Sequence, residues 1–221
     1  MQTRLSPSLQ RLQSMADGIV PVGVVAVCGS CDGDISKLFA LERVSIQGAV
    51  GRRQAEFAAG RSSARAALQQ LGLGPLPIMV GEGRAPTWPP GFSGSISHCQ
   101  SAVIAVAARR SADISYIGID VEDNLALEAE LWPSICTPLE LSWLNAHDQP
   151  GHWAKVMFSI KEAVYKAHYP STRKLIDFTG VEIIDLDTAG RFVASLRVGS
   201  HMSISGRHTS NEEFVLSFAA F

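Results

Sequence analysis

The sequence is short of net charge, of long apolar runs and of paired cysteines, and each shortage removes a class of protein. Lys and Arg number 19 against 21 Asp and Glu, a formal charge of −2. A general nucleic-acid binder needs a basic excess to gain from counterion release, so that class is set aside. The apolar run from Ile19 to Val27 is interrupted by Pro21 and Gly23. A bilayer span takes about 20 apolar residues, so a buried strand is the simpler reading. No apolar stretch follows the N-terminus at signal-peptide distance, and a cytoplasmic protein with no membrane span is expected. Among the four cysteines, Cys28 and Cys31 form one Cys-Gly-Ser-Cys pair. A second pair at metal-ligand spacing is absent, which argues against structural zinc. Asp32-Gly33-Asp34 follows as a turn where a redox pair would open a helix, so ordinary reduced thiols are expected. There is no short-period repeat and no low-complexity tract.

What is there is an ordinary globular composition, 46% apolar and 18% charged, able to bury a core. A chain of 221 residues holds one large domain or two small ones. Val20 to Val27 reads as a strand. Residues 45–71 read as a long helix stopping at Gly72, with a break near Gly51 or Gly60. Ile78 to Val80, Ser95 to Ser97, Ala102 to Ala108 and Tyr116 to Glu122 read as strands. Thr137-Pro138 opens a helix from Leu139 to Asn145. A second long helix runs from Trp153 to Tyr169 and ends at Pro170. From Val181 to Phe221 the pattern alternates in short bursts, as antiparallel strands do. The order is helix then strands, twice over. That predicts an α+β protein of two similar α/β halves in a pseudo-twofold arrangement, each a long helix on a small, mostly antiparallel sheet. The halves are expected at 1–119 and 120–221.

Three acids carry the chemistry. Asp120 and Glu122 lie two apart on a predicted strand, so their side chains share a face, while Ile117, Ile119 and Val121 face the core. Two neighbouring carboxylates repel unless a cation joins them, and hard oxygen ligands suit magnesium. By itself, Asp-x-Glu fits a solvated strand edge at least as well. Glu162 and Lys166, at i and i+4, meet on one helix face, and by themselves fit an exposed ion pair. A basic cluster, Arg52, Arg53, Arg61 and Arg65, lies on the first long helix. At 100° per residue Arg53 sits roughly 80° from Arg61, and Arg52 projects nearly opposite Arg61, so the four cannot grip one ligand together. Arginine forks suit phosphate. Arg84 lies on a loop stiffened by Pro86, and Ser97 and His98 end a strand. The segment Gly91-Phe-Ser-Gly-Ser95 misses the Gly-x-Ser-x-Gly frame, which counts against a serine hydrolase.

In order, the segments are the Arg-rich run from Arg52 to Arg65, Gly83-Arg-Ala-Pro86, Ser95-Ile-Ser-His98, Gly118-Ile-Asp-Val-Glu122 and Ser159-Ile-Lys-Glu-Ala-Val-Tyr-Lys166. Together they resemble the 4′-phosphopantetheinyl transferases of the surfactin- and enterobactin-synthetase type. The likeness covers residues 52–178. Each motif is weak alone, and all five in order are specific. The resemblance implies an enzyme that moves the phosphopantetheine arm of coenzyme A onto a serine of an apo acyl or peptidyl carrier protein, releasing 3′,5′-ADP. It implies Mg2+ held by Asp120, Glu122 and Glu162. It implies phosphate contacts from Lys166 and His98, with Ser97 and Lys161 nearby, and an adenosine end held by Arg53, Arg61 and Arg84, and by Arg52 if the helix begins late. Glu162, Lys166 and Asp120 would be catalytic, with Glu162 the base. Glu140 matches a further acidic position and is a candidate fourth acid near the metal. Siderophore or other secondary-metabolite synthesis and a functional monomer are implied as well. Phe158 stands where many relatives have Trp, and Ser95 where many have Asn.

Two other readings compete: another magnesium enzyme acting on phosphate esters, and a non-catalytic module that binds coenzyme A or a carrier protein. Release of 3′,5′-ADP separates the first. Coenzyme A binding indifferent to magnesium would mark the second.

Overall fold

The computed structural model describes residues 5–197 and 202–221. It begins with helix α1 (Pro7–Ile19), which the sequence reading left without an element. Ser6 caps it by accepting from the Leu9 amide, Pro7 opens it, and Leu9, Leu12, Ala16 and Ile19 make its buried stripe. Strand β1 (Val24–Gly29) follows, starting later than expected because Val20 caps α1. The short helix α2 (Ala40–Val44) precedes α3 (Gly51–Gln70). Thus α3 starts at Gly51, and it passes unbroken through Gly60. A Cβ at Gly60 would lie 2.9 Å from Ile96 Cγ2, so the glycine allows close packing rather than a kink.

Strands β2 (Met79–Val80) and β3 (Pro86–Thr87) pair with each other. Next come β4 (Phe92–His98), β5 (Val103–Arg109) and β6 (Ile117–Asp123), then helices α4 (Trp132–Ile135), α5 (Pro138–Asn145) and α6 (Pro150–Thr172). The predicted stop at Pro170 is wrong, since α6 carries that proline inside its last turn. The missing proline N–H removes one bond, but the end is held by Arg173 N–H to Tyr169 O at 2.8 Å and Ser171 Oγ to His168 O at 2.8 Å. Strands β7 (Val181–Leu186), β8 (Arg191–Leu196), β9 (Met202–Ser210) and β10 (Phe214–Ala220) complete the chain. Among the described residues no helix is long and apolar enough to cross a membrane.

Besides the β2-β3 pair, two larger antiparallel sheets result, in orders β1-β5-β4 and β6-β10-β9-β8-β7. Helix α3 packs on the first through Ala64, Ala67 and Leu68, and α6 packs on the second through Val156, Ile160, Ala163 and Ala167. The α+β plan expected from the sequence holds. A shared core joins the sheets, with Ile117, Ile119 and Val121 fully buried among residues of α1, β1, β5 and β10. Helix α1 is clasped to the second sheet by Ser8 and Arg11, both on the Glu213 carboxylate. On β1, which is an edge, Gln13 donates to Ala26 O at 3.0 Å and accepts from Cys28 N–H at 2.9 Å. All four cysteines are free, and burial pushes the Cys28 thiol up to about 12, so it stays a thiol.

The opposite face of β6 meets α6 almost backbone to backbone. A Cβ at Gly118 would lie 1.9 Å from Ala163 O and 2.7 Å from Ala167 N. Gly118→Ala should therefore cost about 3 kcal/mol or more, or abolish folding, as read by urea denaturation.

Further along this face, on β9, His208 pairs in register with Ser217, and both its ring nitrogens are buried without a partner. Burial pulls its pKa from 6.5 down to about 4, and nearby His152 adds to the effect. A base depressed on folding contributes stability that is fully present above its unfolded pKa and is lost as pH falls toward the folded one. Stability should therefore drop between pH 6.5 and about 4, by about 3 kcal/mol from this group. A His208→Phe variant should lose that part of the pH dependence in denaturation curves.

Candidate active site

Because Gly118 seats α6 on β6, the next residues on the same strand face, Asp120 and Glu122, also point at that helix. They meet Glu162 and Lys166 of α6 across a cavity of about 400 Å³. Its acidic wall is Asp120, Glu122 and Glu162, and its basic wall is Arg53, Arg61, Arg84, His98 and Lys166. The walls come from both sheets and both long helices.

Lys166 Nζ donates to Asp120 Oδ1 at 2.6 Å and to Ser97 Oγ at 2.9 Å, and it lies 3.9 Å from Glu162 Oε2. Ser97 Oγ in turn donates to Asp120 Oδ1 at 2.9 Å. Lys155 Nζ donates to Glu122 Oε2 at 3.1 Å. Arg53 Nη1 lies 2.7 Å from His98 Nε2. Guanidinium only donates, so Nε2 accepts and the neutral ring keeps its proton on Nδ1. Burial lowers the His98 pKa, Arg53 and Lys166 lower it further, and Glu56 opposes them. Arg61 is buried, stacks 4.2 Å above the Phe57 ring and donates from Nε to Ile78 O at 2.8 Å. Burial pulls its pKa down to about 10, which leaves it charged. Arg84 sits at φ 63° beside Gly83, where a side chain would collide with the Tyr169 hydroxyl, so the loop lies tight against α6.

Two expectations are corrected. Lys161 does not reach the cavity. One step along α6 from Glu162 turns it by 100°, and its ammonium is fully buried against Glu140 Oε2 (2.6 Å), Ile135 O (2.8 Å) and Phe178 O (3.1 Å). Glu140 is not a fourth acid at the cavity. It closes a capping box with Thr137, accepting from Thr137 N at 2.7 Å, and its other oxygen accepts from Ile183 N at 2.8 Å. Of the remaining arginines, Arg52 pairs with Glu56 at 3.0 Å and Arg65 with fully buried Glu42 at 2.7 Å.

The donor set suits a hard divalent cation. The three acids line one cavity, and Asp120 Oδ2 is a buried acceptor with no partner. Among the described residues no three such side chains are closed into a metal cage. Asp120 and Glu122 instead each carry a lysine ammonium. Burial raises the pKa of Glu122, and Asp120 adds to it while Lys155 opposes. Burial also raises Glu162, with Lys166 opposing and Asp120 adding. Positive charge placed among these groups would relieve both.

A family model described as the 4′-phosphopantetheinyl transferase N-terminal domain matches residues 41–108, and one described as the 4′-phosphopantetheinyl transferase superfamily matches residues 116–219. The chain is 41% identical over 170 residues to the 4′-phosphopantetheinyl transferase Svp of Streptomyces mobaraensis, covering 76% of this chain and 69% of that protein. The chain belongs to the 4′-phosphopantetheinyl transferase superfamily. This transferase is also 37% identical to the 4′-phosphopantetheinyl transferase PptT of Mycobacterium tuberculosis, over 70% of each chain. Its identity to the enterobactin synthase component D of Salmonella typhi is 40%, over 52% of this chain and 48% of that one.

Sequence reasoning missed two residues of this transferase's cavity region. Glu56, on the cavity wall, lies three and four residues after Arg53 and Arg52, the spacing of a helix ion pair. Lys155 precedes Glu162 by seven residues, two helical turns on the same face. Both signals are present in the sequence as the spacing of partners to the candidate ligands.

The Lys161 assignment has a direct test. Lys161→Met leaves Glu140 buried and unpaired, so folding stability should fall by about 3–5 kcal/mol in urea titrations. Coenzyme A affinity of the folded protein, measured by calorimetry under stabilising conditions, should change little.

Proposed function

We propose that this transferase moves the 4′-phosphopantetheine arm of coenzyme A onto a serine of an apo carrier protein, with Mg2+ as cofactor. The observation that carries the reading is the meeting of a three-carboxylate wall and a wall of five cationic or donor side chains in one cavity. Coenzyme A is strongly anionic, and a local basic wall attracts it without making the whole protein basic. Arg53, Arg61 and Arg84 hold the adenosine end and its phosphate, and Lys166 and His98 hold the pyrophosphate. Asp120, Glu122 and Glu162 are the residues that would hold Mg2+, which supplies charge neutralisation at the phosphates when bound.

The carrier serine hydroxyl is a weak nucleophile at neutral pH and needs a base. Glu162 takes its proton, directly or through a water. The serine oxygen bonds to the β-phosphorus, the bond to the bridging oxygen breaks, and 3′,5′-ADP leaves. Lys166, held by Asp120 and Ser97, keeps a positive charge beside the oxygens that gain negative charge. Ser97 accepts from Lys166 and donates to Asp120, and so orients the lysine. The half at 1–119 supplies most of the basic wall and the half at 120–221 the acids. The likeness to enterobactin synthase component D supports carriers of siderophore or other secondary-metabolite synthetases as acceptors.

The experiment is intact-mass spectrometry of an apo carrier incubated with the protein, coenzyme A and Mg2+. One added phosphopantetheine on the carrier serine is expected, and none when EDTA removes the metal. Asp120→Ala and Glu162→Ala should each lower the rate by about a hundredfold or more while circular dichroism stays that of the parent. Normal turnover in either variant would refute the assigned roles. Coenzyme A binding unaffected by EDTA, with no transfer to any carrier, would leave a binding module.

A further inference from the structure

We propose that Glu56 is a positioning residue that holds Arg53 and His98 in place to receive a phosphate of coenzyme A. The inference rests on the reading of the cavity as the coenzyme A site. A carboxylate in the wall of an anion site needs a reason, because its charge repels the ligand. Here the order of exposure supplies one. The Glu56 side chain is 10% exposed, whereas those of Arg52, Arg53 and His98 are 69%, 52% and 35% exposed. An incoming anion therefore meets the two arginines and His98 first, with the carboxylate at their backs.

The contacts divide the work. Glu56 Oε1 accepts from Arg52 Nε at 3.0 Å, and Oε2 accepts from Arg53 Nη1 at 3.4 Å and lies 3.8 Å from His98 Nε2. Arg53 Nη1 also donates to His98 Nε2 at 2.7 Å, so Glu56, Arg53 and His98 form one linked set. A long, half-exposed arginine has many rotamers, and fixing one before the ligand arrives lowers the entropic cost of binding. Burial alone would raise the Glu56 pKa, but the hydrogen bond from Arg52, the charge of His98 when its ring is protonated, the hydrogen bond from Arg53 and the charge of Arg52 outweigh it and hold the carboxyl below its usual range. The group is thus an anion throughout the working range, as a support for two donors must be. None of the roles assigned from sequence falls to Glu56. It touches no reacting atom in the proposed chemistry and acts through Arg53 and His98.

The test uses the whole chain, with adenosine 3′,5′-bisphosphate as probe in titration calorimetry. Glu56→Gln keeps the shape and removes the charge. It should raise the Kd of the bisphosphate by about tenfold, and raise the KM for coenzyme A similarly with kcat nearly unchanged. Glu56→Asp should restore most of the affinity. In an Arg53→Ala background the same Glu56→Gln change should cost about threefold or less, because its effect runs largely through the arginine. Unchanged or tighter binding by Glu56→Gln would overturn the proposal, since the carboxylate would then oppose the anion. A full tenfold loss in the Arg53→Ala background would also overturn it. A parent protein that binds neither the bisphosphate nor coenzyme A would sink the coenzyme A reading itself, a result distinct from either.

Discussion

The site depends on one contact, the seat of α6 against Gly118 of β6. No side chain separates the two backbones there, and a Cβ would stand 1.9 Å from Ala163 O. That contact sets the height and rotation of the helix. Strand alternation then does the rest, because residues two and four beyond Gly118 must face the same helix. Asp120 and Glu122 come to Glu162 and Lys166 by geometry, while Ile119 and Val121 anchor the strand in the shared core. The charged face and the apolar anchor are two sides of one strand.

Holding three carboxylates near one another is electrostatically unfavourable, and the protein offsets this with lysines. Lys166 bridges Asp120 and Glu162, and Lys155 neutralises Glu122. Elsewhere charge is buried more deeply and serves architecture. Lys161 with Glu140 ties α6 to α4, α5 and β7, and Arg65 with Glu42 ties α3 to α2. Neighbouring residues on a helix are thereby split between purposes. Lys161 has three acceptors and is locked in place, while Glu162 is left to the cavity.

Much of this was legible in the sequence. Alternation gave β6 its two faces, and the helical angle between Arg52, Arg53 and Arg61 separated the cavity residues from Arg52. The Thr137-Pro138 pair marked the start of α5. The sequence did not disclose what Lys161 and Glu140 do, because a motif records that a charge is needed and not which way the helix turns it. Their pairing spans 21 positions and depends on packing between α5 and α6. The missed α1 is a different failure. Its cap, its proline and its apolar stripe are all present in the sequence, but its residues carry no chemistry that would single them out. Pro170 was over-read, since a proline in the last turn removes one bond and leaves the rest of the helix end intact.

The clasp of α1 on the second sheet has a consequence for how the protein folds. Helix α1 packs against β9 and β10, partners that lie far downstream of it in sequence, so these contacts carry a high contact order. The Glu213 carboxylate that receives Ser8 and Arg11 lies more than two hundred positions downstream. Closing so long a loop costs chain entropy before the contact repays it, so the α1 side of the shared core is expected to close only after β9 and β10 have paired.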